Sequence, residues 1–206
     1  MAGRGAAVAV GAALLLGGCG DQGGSREPGG IPAPAGSPSV VPCGIAATVP
    51  DGAALSAEDV GSPGAATASR YVVFPDGQCT GLAVRPDRCA EFPWIAENDL
   101  YALGGRSWLA VTVGSVREQV VRYAPGSSFA ATYQRAAESC GFGALTVLDG
   151  KPVTMQRTRA GASEVVYLTG RSVIWLSSVD PSIGAAELVR LAGVAERRAD
   201  ALPYPS

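Results

Sequence analysis

The longest patterned stretch of the chain begins at Ser107, where apolar and polar positions start to alternate. Residues 108–113 put Leu109, Val111 and Val113 on one side, the two-residue period of a strand. Gly114-Ser115 can turn the chain, and residues 116–124 can return as the second strand of a hairpin. After Pro125-Gly126-Ser127-Ser128 the period changes. Phe129, Tyr133, Ala136, Ala137 and Cys140 then form one stripe with a repeat of about 3.6 residues, which predicts a helix closed by Gly141. Three further strands are expected over residues 153–159, 164–168 and 173–179, separated by turns short enough for antiparallel neighbours. Asp180 followed by Pro181 reads as the start of a last helix, with Leu188, Leu191, Ala195 and Leu202 on its inner side.

Upstream the pattern is weaker. Ser56 and Asp59 can form a reciprocal cap for a short helix at residues 55–60. Residues 71–74 read as a brief strand stopped by Pro75-Asp76-Gly77. Residues 77–106 show no period and read as irregular. The order hairpin, helix, three-stranded meander, helix predicts an α+β fold. It has two layers, a mostly antiparallel sheet with both main helices on one face, stapled by disulfides. On Cys140 such a bond would pin the first long helix to the body of the fold.

The N-terminus follows other rules. Arg4 is the only charge before an uncharged run, 5–18, with four Gly among its 14 residues. That is too short to span a bilayer, which takes about 20 apolar residues. The run ends in Leu16-Gly17-Gly18-Cys19 and resembles the lipobox of bacterial lipoprotein signal peptides. The resemblance implies cleavage before Cys19, a diacylglyceryl group on its thiol, and a domain held outside the cytoplasm on the cell membrane. Residues 1–18 are then the signal peptide. Residues 19–42 are the lipidated Cys and a tether, since 20–42 hold six Gly and five Pro, too few apolar side chains for a core. Residues 43–206 remain as a single extracytoplasmic domain.

Charge and composition narrow the function. Loss of residues 1–18 removes Arg4 and no acid, leaving 15 basic and 18 acidic residues. This balance gives no footprint for nucleic acid and no basic stripe for anionic lipid, so membrane contact rests on Cys19. Fifteen Arg against the single Lys151 is the mark of a GC-rich genome. There is no His, which removes Ser–His and Cys–His nucleophile pairs and HExxH metal sites. No GxSxG or phosphate-binding loop occurs, and no cofactor or metal is implied. The acids Asp87, Glu91, Glu97 and Asp99 could in principle serve a glycan hydrolase, but read more simply as a solvated loop. Beyond Cys19 the cysteines are Cys43, Cys79, Cys89 and Cys140. In an exported domain, and without CxxC spacing, they predict two disulfides rather than a metal site.

Leu55-Ser-Ala-Glu-Asp-Val60, Arg85-Pro-Asp-Arg-Cys89, Glu118-Gln-Val-Val-Arg-Tyr123 and the stretch from Phe129 to Cys140-Gly141 together resemble a known family. It is the extracellular sensor domain of PknH-type actinobacterial serine/threonine kinases, which also occurs on free-standing lipoproteins. The resemblance covers roughly residues 53–202. It implies a two-layer α+β fold with a ligand cleft and a Cys89–Cys140 bridge. The family's later cysteine pair is missing. Cys43 and Cys79 stand in its place and are expected to pair with each other. No kinase domain is present, so any sensing would pass through a partner.

The reading is a non-catalytic, lipid-anchored lipoprotein with a sensor-like domain for a ligand or an envelope protein. The alternatives are a structural or assembly lipoprotein and, from another class, the glycan hydrolase. A ligand site is expected where segment 77–106 crosses the sheet, bordered by Trp94, Tyr101 and Trp108 with Arg157 as the polar contact.

Overall fold

The computed structural model describes residues 44–64, 66–74, 89–90, 92–146 and 153–202, all within the unit Val40–Ser206. In chain order the elements are β1 (Ile45–Ala46), α1 (Ala57–Val60), β2 (Thr67–Val73), α2 (Glu97–Ala102), β3 (Gly105–Val113) and β4 (Val116–Tyr123). They continue with α3 (Ala130–Ser139), β5 (Gly143–Thr146), β6 (Val153–Arg159), β7 (Ala162–Leu168), β8 (Ser172–Ser178) and α4 (Ala185–Ala199). One antiparallel sheet runs β1-β2-β3-β4-β8-β7-β6-β5. The α+β class, the β3–β4 hairpin and the β6–β7–β8 meander therefore stand as expected. The meander folds back so that β8 docks on β4 and becomes central.

The two main helices take opposite faces, not one. On β4 the even-numbered Val116 and Val120 join Leu109, Val111, Ile174 and Leu176 beneath α4, whose Leu188, Leu191, Ala192, Ala195 and Ala199 are buried. The odd-numbered Val121 and Tyr123 join Val173, Val166 and Leu168 beneath α3, where Phe129, Tyr133 and Ala137 are buried. The physical reason lies in β8. Its Val173-Ile174-Trp175-Leu176 run is apolar on both sides, so each face must be covered, as for strands buried on both faces generally. The result is three layers rather than two. Each buried leucine of α4 contributes on the order of 2 kcal/mol.

Local chemistry explains most element ends. The reciprocal Ser56–Asp59 cap of α1 is present, with Asp59 N–H donating to Ser56 Oγ and Ser56 N–H to Asp59 Oδ2 at 2.7 Å. Gly141, at φ +81°, ends the α3 turn. The last helix begins later than Asp180-Pro181 predicts. Asp180 Oδ1 accepts from Ser182 N at 2.9 Å and from Ser182 Oγ at 2.7 Å, closing a separate turn, and α4 starts after Gly184. Within the segment read as irregular, Glu97–Ala102 forms α2. Gly105 lets it lie against β3, because a Cβ there would meet the Leu100 carbonyl oxygen at 2.7 Å. Strands β1 and β5 were also not expected, and β2 starts four residues earlier than the sequence pattern suggests.

Cys89 and Cys140 form a disulfide, S–S 2.07 Å with Cα atoms 5.1 Å apart, and so join the C-terminal end of α3 to the segment before α2. Cys19, Cys43 and Cys79, with the 1–18 and 19–42 boundaries and the acids Asp87 and Glu91, lie outside the described residues. Among the described residues no helix is long and apolar enough to cross a membrane.

Candidate functional site

Arg157 and Trp94 do come together, but inside the fold. On β6, Arg157 stands directly across from Glu164 of β7 and reaches its Oε2 through Nε at 2.9 Å and Nη2 at 2.7 Å. Its Nη1 donates to the Cys140 carbonyl at 2.7 Å and its Nη2 to the Cys89 carbonyl at 3.2 Å. Arg159 donates to the Cys89 carbonyl as well. The guanidinium lies 4.3 Å from the centre of the Phe142 ring and 5.9 Å from that of Trp94. Only 7% of the Arg157 side chain is exposed. Every nitrogen of this group makes at least one hydrogen bond, so Arg157 clamps the backbone of both bridged cysteines and is held inside the fold. Trp94 packs against Phe92 and Phe142, ring centres 5.3 and 5.1 Å away, and is buried. It holds a left-handed backbone at φ +61°, a cost of order 1 kcal/mol that this packing offsets. Tyr101, on α2, is half-buried at the edge of the same cluster.

Trp108 is different: it borders an open cleft of about 330 Å³ on the α3 face of the sheet. The register of the strands builds it. Ala110 of β3 faces Gln119 of β4, which faces Trp175 of β8, and these three make the floor. On one side Trp108 stacks under the Arg70 guanidinium, 4.1 Å from its ring centre, and donates through Nε1 to Gln119 Oε1 at 3.0 Å. On the other, Trp175 stacks on Phe92, centres 6.1 Å apart and planes 10° off parallel. Arg117, next to Gln119 in the strand direction, closes the rim. A bulge at Ser69 breaks the β2–β3 register between Ala68 and Arg70. Neighbouring residues of a regular strand point to opposite faces, but the bulge lets Ser69 and Arg70 both line the cleft. Ser69 Oγ also satisfies the Ala110 carbonyl, at 3.2 Å.

Among the described residues, the charged side chains lining the cleft are both cationic. Its polar lining is Ser69, Arg70, Arg117 and Gln119, and no carboxylate lines it among the described residues. Glu97 neutralises Arg70 from outside the cleft at 3.2 Å while accepting from Gly44 N–H at 3.1 Å. Arg117 is exposed and has no ion pair among the described residues. Of the loop acids, then, Glu97 is a counter-ion and Asp99 is exposed on α2. Among the described residues no cluster of Cys, Asp and Glu could hold a metal ion.

Behind the cleft, on the other face of β4, Glu118 is buried with none of its surface exposed. Its Oε2 accepts from Leu55 N–H at 2.8 Å, and among the described residues its Oε1 has no hydrogen-bond partner. Burial pushes its carboxyl up to about 7, against the pull of the Leu55 hydrogen bond and of Arg198.

Of the residues expected at the site from the sequence, Trp108 lines this cleft, which lies on the face that carries α3 and not on a helix-free face. Sequence patterning missed Arg70, Arg117 and Gln119. Their meeting depends on the β2–β3 register and on β8 docking beside β4, neither of which has a local signal. The molecule is thus an antiparallel α+β domain with a small cationic, aromatic-walled cleft. Compared with protein-family models, curated proteins and solved structures, the chain matches none.

Proposed function

We propose that this is a non-catalytic, lipid-anchored extracytoplasmic lipoprotein whose domain binds a ligand, free or displayed on an envelope partner, in the cleft beside Trp108. The cleft is the observation that carries the reading: it is concave, walled by aromatic rings, and fitted with a few convergent donors. The absence of His from the chain argues against the commonest acid–base chemistry, and the sequence at Cys19 supports the anchor. The resemblance to the sensor domain of PknH-type kinases points the same way.

The test is a titration of the full-length protein, in detergent, with soluble cell-wall fragments while Trp emission is followed. Fragments are expected to change the emission of the wild type and to leave the cleft-filling variant Ala110→Phe unaffected. An unchanged wild-type emission overturns the reading, as does equal binding by a folded Ala110→Phe protein.

A further inference from the structure

We propose that the cleft receives a small ring-bearing acid, its oxyanion held by Arg117 and Arg70 and its ring set against the Trp108 wall. The inference rests on the ligand-binding reading and sharpens it to a chemical class. Ser69 spends its hydroxyl hydrogen on the Ala110 carbonyl, and the strongest remaining donors lining the cleft are the guanidiniums of Arg70 and Arg117. Arg70 already has Glu97 as a partial counter-ion, so among the described residues Arg117 is the charge without one. The Trp108 indole turns Gln119 Oε1 toward itself, which leaves the Gln119 amide NH2 as a further donor. A planar guanidinium pairs with carboxylate and phosphate alike, and the shared chemistry is an oxyanion on a ring.

Size supports the ring. About 330 Å³ is at the low end for ligand pockets and is enough for one or two rings. The walls are flat, being the Trp108–Arg70 stack and the Trp175–Phe92 stack. A bare anion would fill little of this space, whereas a ring that carries the oxyanion also lies against the two stacks.

Four probes separate the contributions on the full-length protein: glucuronate, glucose 6-phosphate, glucose and inorganic phosphate. At least one ring acid is expected to bind roughly tenfold more tightly than glucose and than inorganic phosphate. Arg117→Gln should weaken that acid by about tenfold, and added salt should weaken it too. Which acid binds better decides between carboxylate and phosphate. Equal binding of glucose, equal binding of inorganic phosphate, an Arg117→Gln variant of unchanged affinity, or no binding of any probe each overturns the inference. Failure of the underlying reading looks different. Acid binding that survives both Arg117→Gln and Ala110→Phe places the site elsewhere and sinks the cleft itself. Glucose binding lost in Ala110→Phe keeps the cleft and discards only the anion.

Discussion

Glu118 is a carboxyl that folding prefers to keep protonated. It sits among Leu55, Val116 and Val120 with one oxygen on the Leu55 amide, the other unsatisfied among the described residues, and Asp59 nearby to disfavour its charge further. An exposed carboxyl titrates near 4.5 and the folded one at about 7. Between these values the folded protein holds a proton that the unfolded chain has lost. The stabilisation is therefore complete below about 4.5 and disappears as pH rises through about 7. The full span is about 3 kcal/mol at most. Glu118→Gln, which keeps an acceptor for Leu55, is expected to match the wild type near pH 4 and to exceed its stability at pH 8. Urea denaturation across that range reads the difference. A wild-type-to-variant difference that stays flat with pH contradicts a buried, proton-holding Glu118.

At the scale of elements, the disulfide and Arg157 act as one device. The bond links the end of α3 to Cys89, and Arg157 of β6 holds the carbonyls of both cysteines while paired with Glu164. Closing a loop across 51 positions contributes about 4 kcal/mol in the chain-entropy model and about half that in practice. Replacing both cysteines with Ala should lower stability by roughly 2–4 kcal/mol. Amide exchange should rise at the end of α3 and around α2, leaving α4, which packs on the other face, unchanged. Exchange that rises equally in α4 contradicts this division of the fold.

Elements whose period is local were legible in the sequence. Leu109, Val111 and Val113 alternate, and Phe129, Tyr133 and Ala137 recur as helix positions do, so β3 and α3 could be placed closely. Elements defined by their neighbours were not. α2 has no capping side chain at Ala96, and β5 is four residues held by pairing with β6. The faces of α3 and α4 were hardest to foresee. They depend on β8 being buried on both sides, although the unbroken Val173-Ile174-Trp175-Leu176 run carried that hint. The site divides the same way. Trp108 was visible as an aromatic at the start of a strand. Arg157 was visible too, but its partners are two backbone carbonyls distant in the chain, so its clamp role needed the fold.

For the whole molecule, the proposed function joins an anchor to a binding domain, and the two can be tested apart. Replacing Cys19 with Ala is expected to block acylation, so that the chain stays unprocessed or is shed from the membrane. Full membrane retention with an unchanged mature mass contradicts the anchor. The cleft is independent of that result.

The most direct measurement of the central claim uses the three tryptophans of the chain as separate reporters. Trp108 and Trp175 line the cleft, whereas Trp94 is packed between Phe92 and Phe142 beside Arg157 and does not. With 15N-labelled Trp, the protein should give three indole signals that can be assigned by single Trp→Phe substitutions. Addition of soluble cell-wall fragments is predicted to shift the Trp108 and Trp175 signals and to leave that of Trp94 in place. Shifts confined to Trp94, or none at all, contradict a ligand site in the cleft.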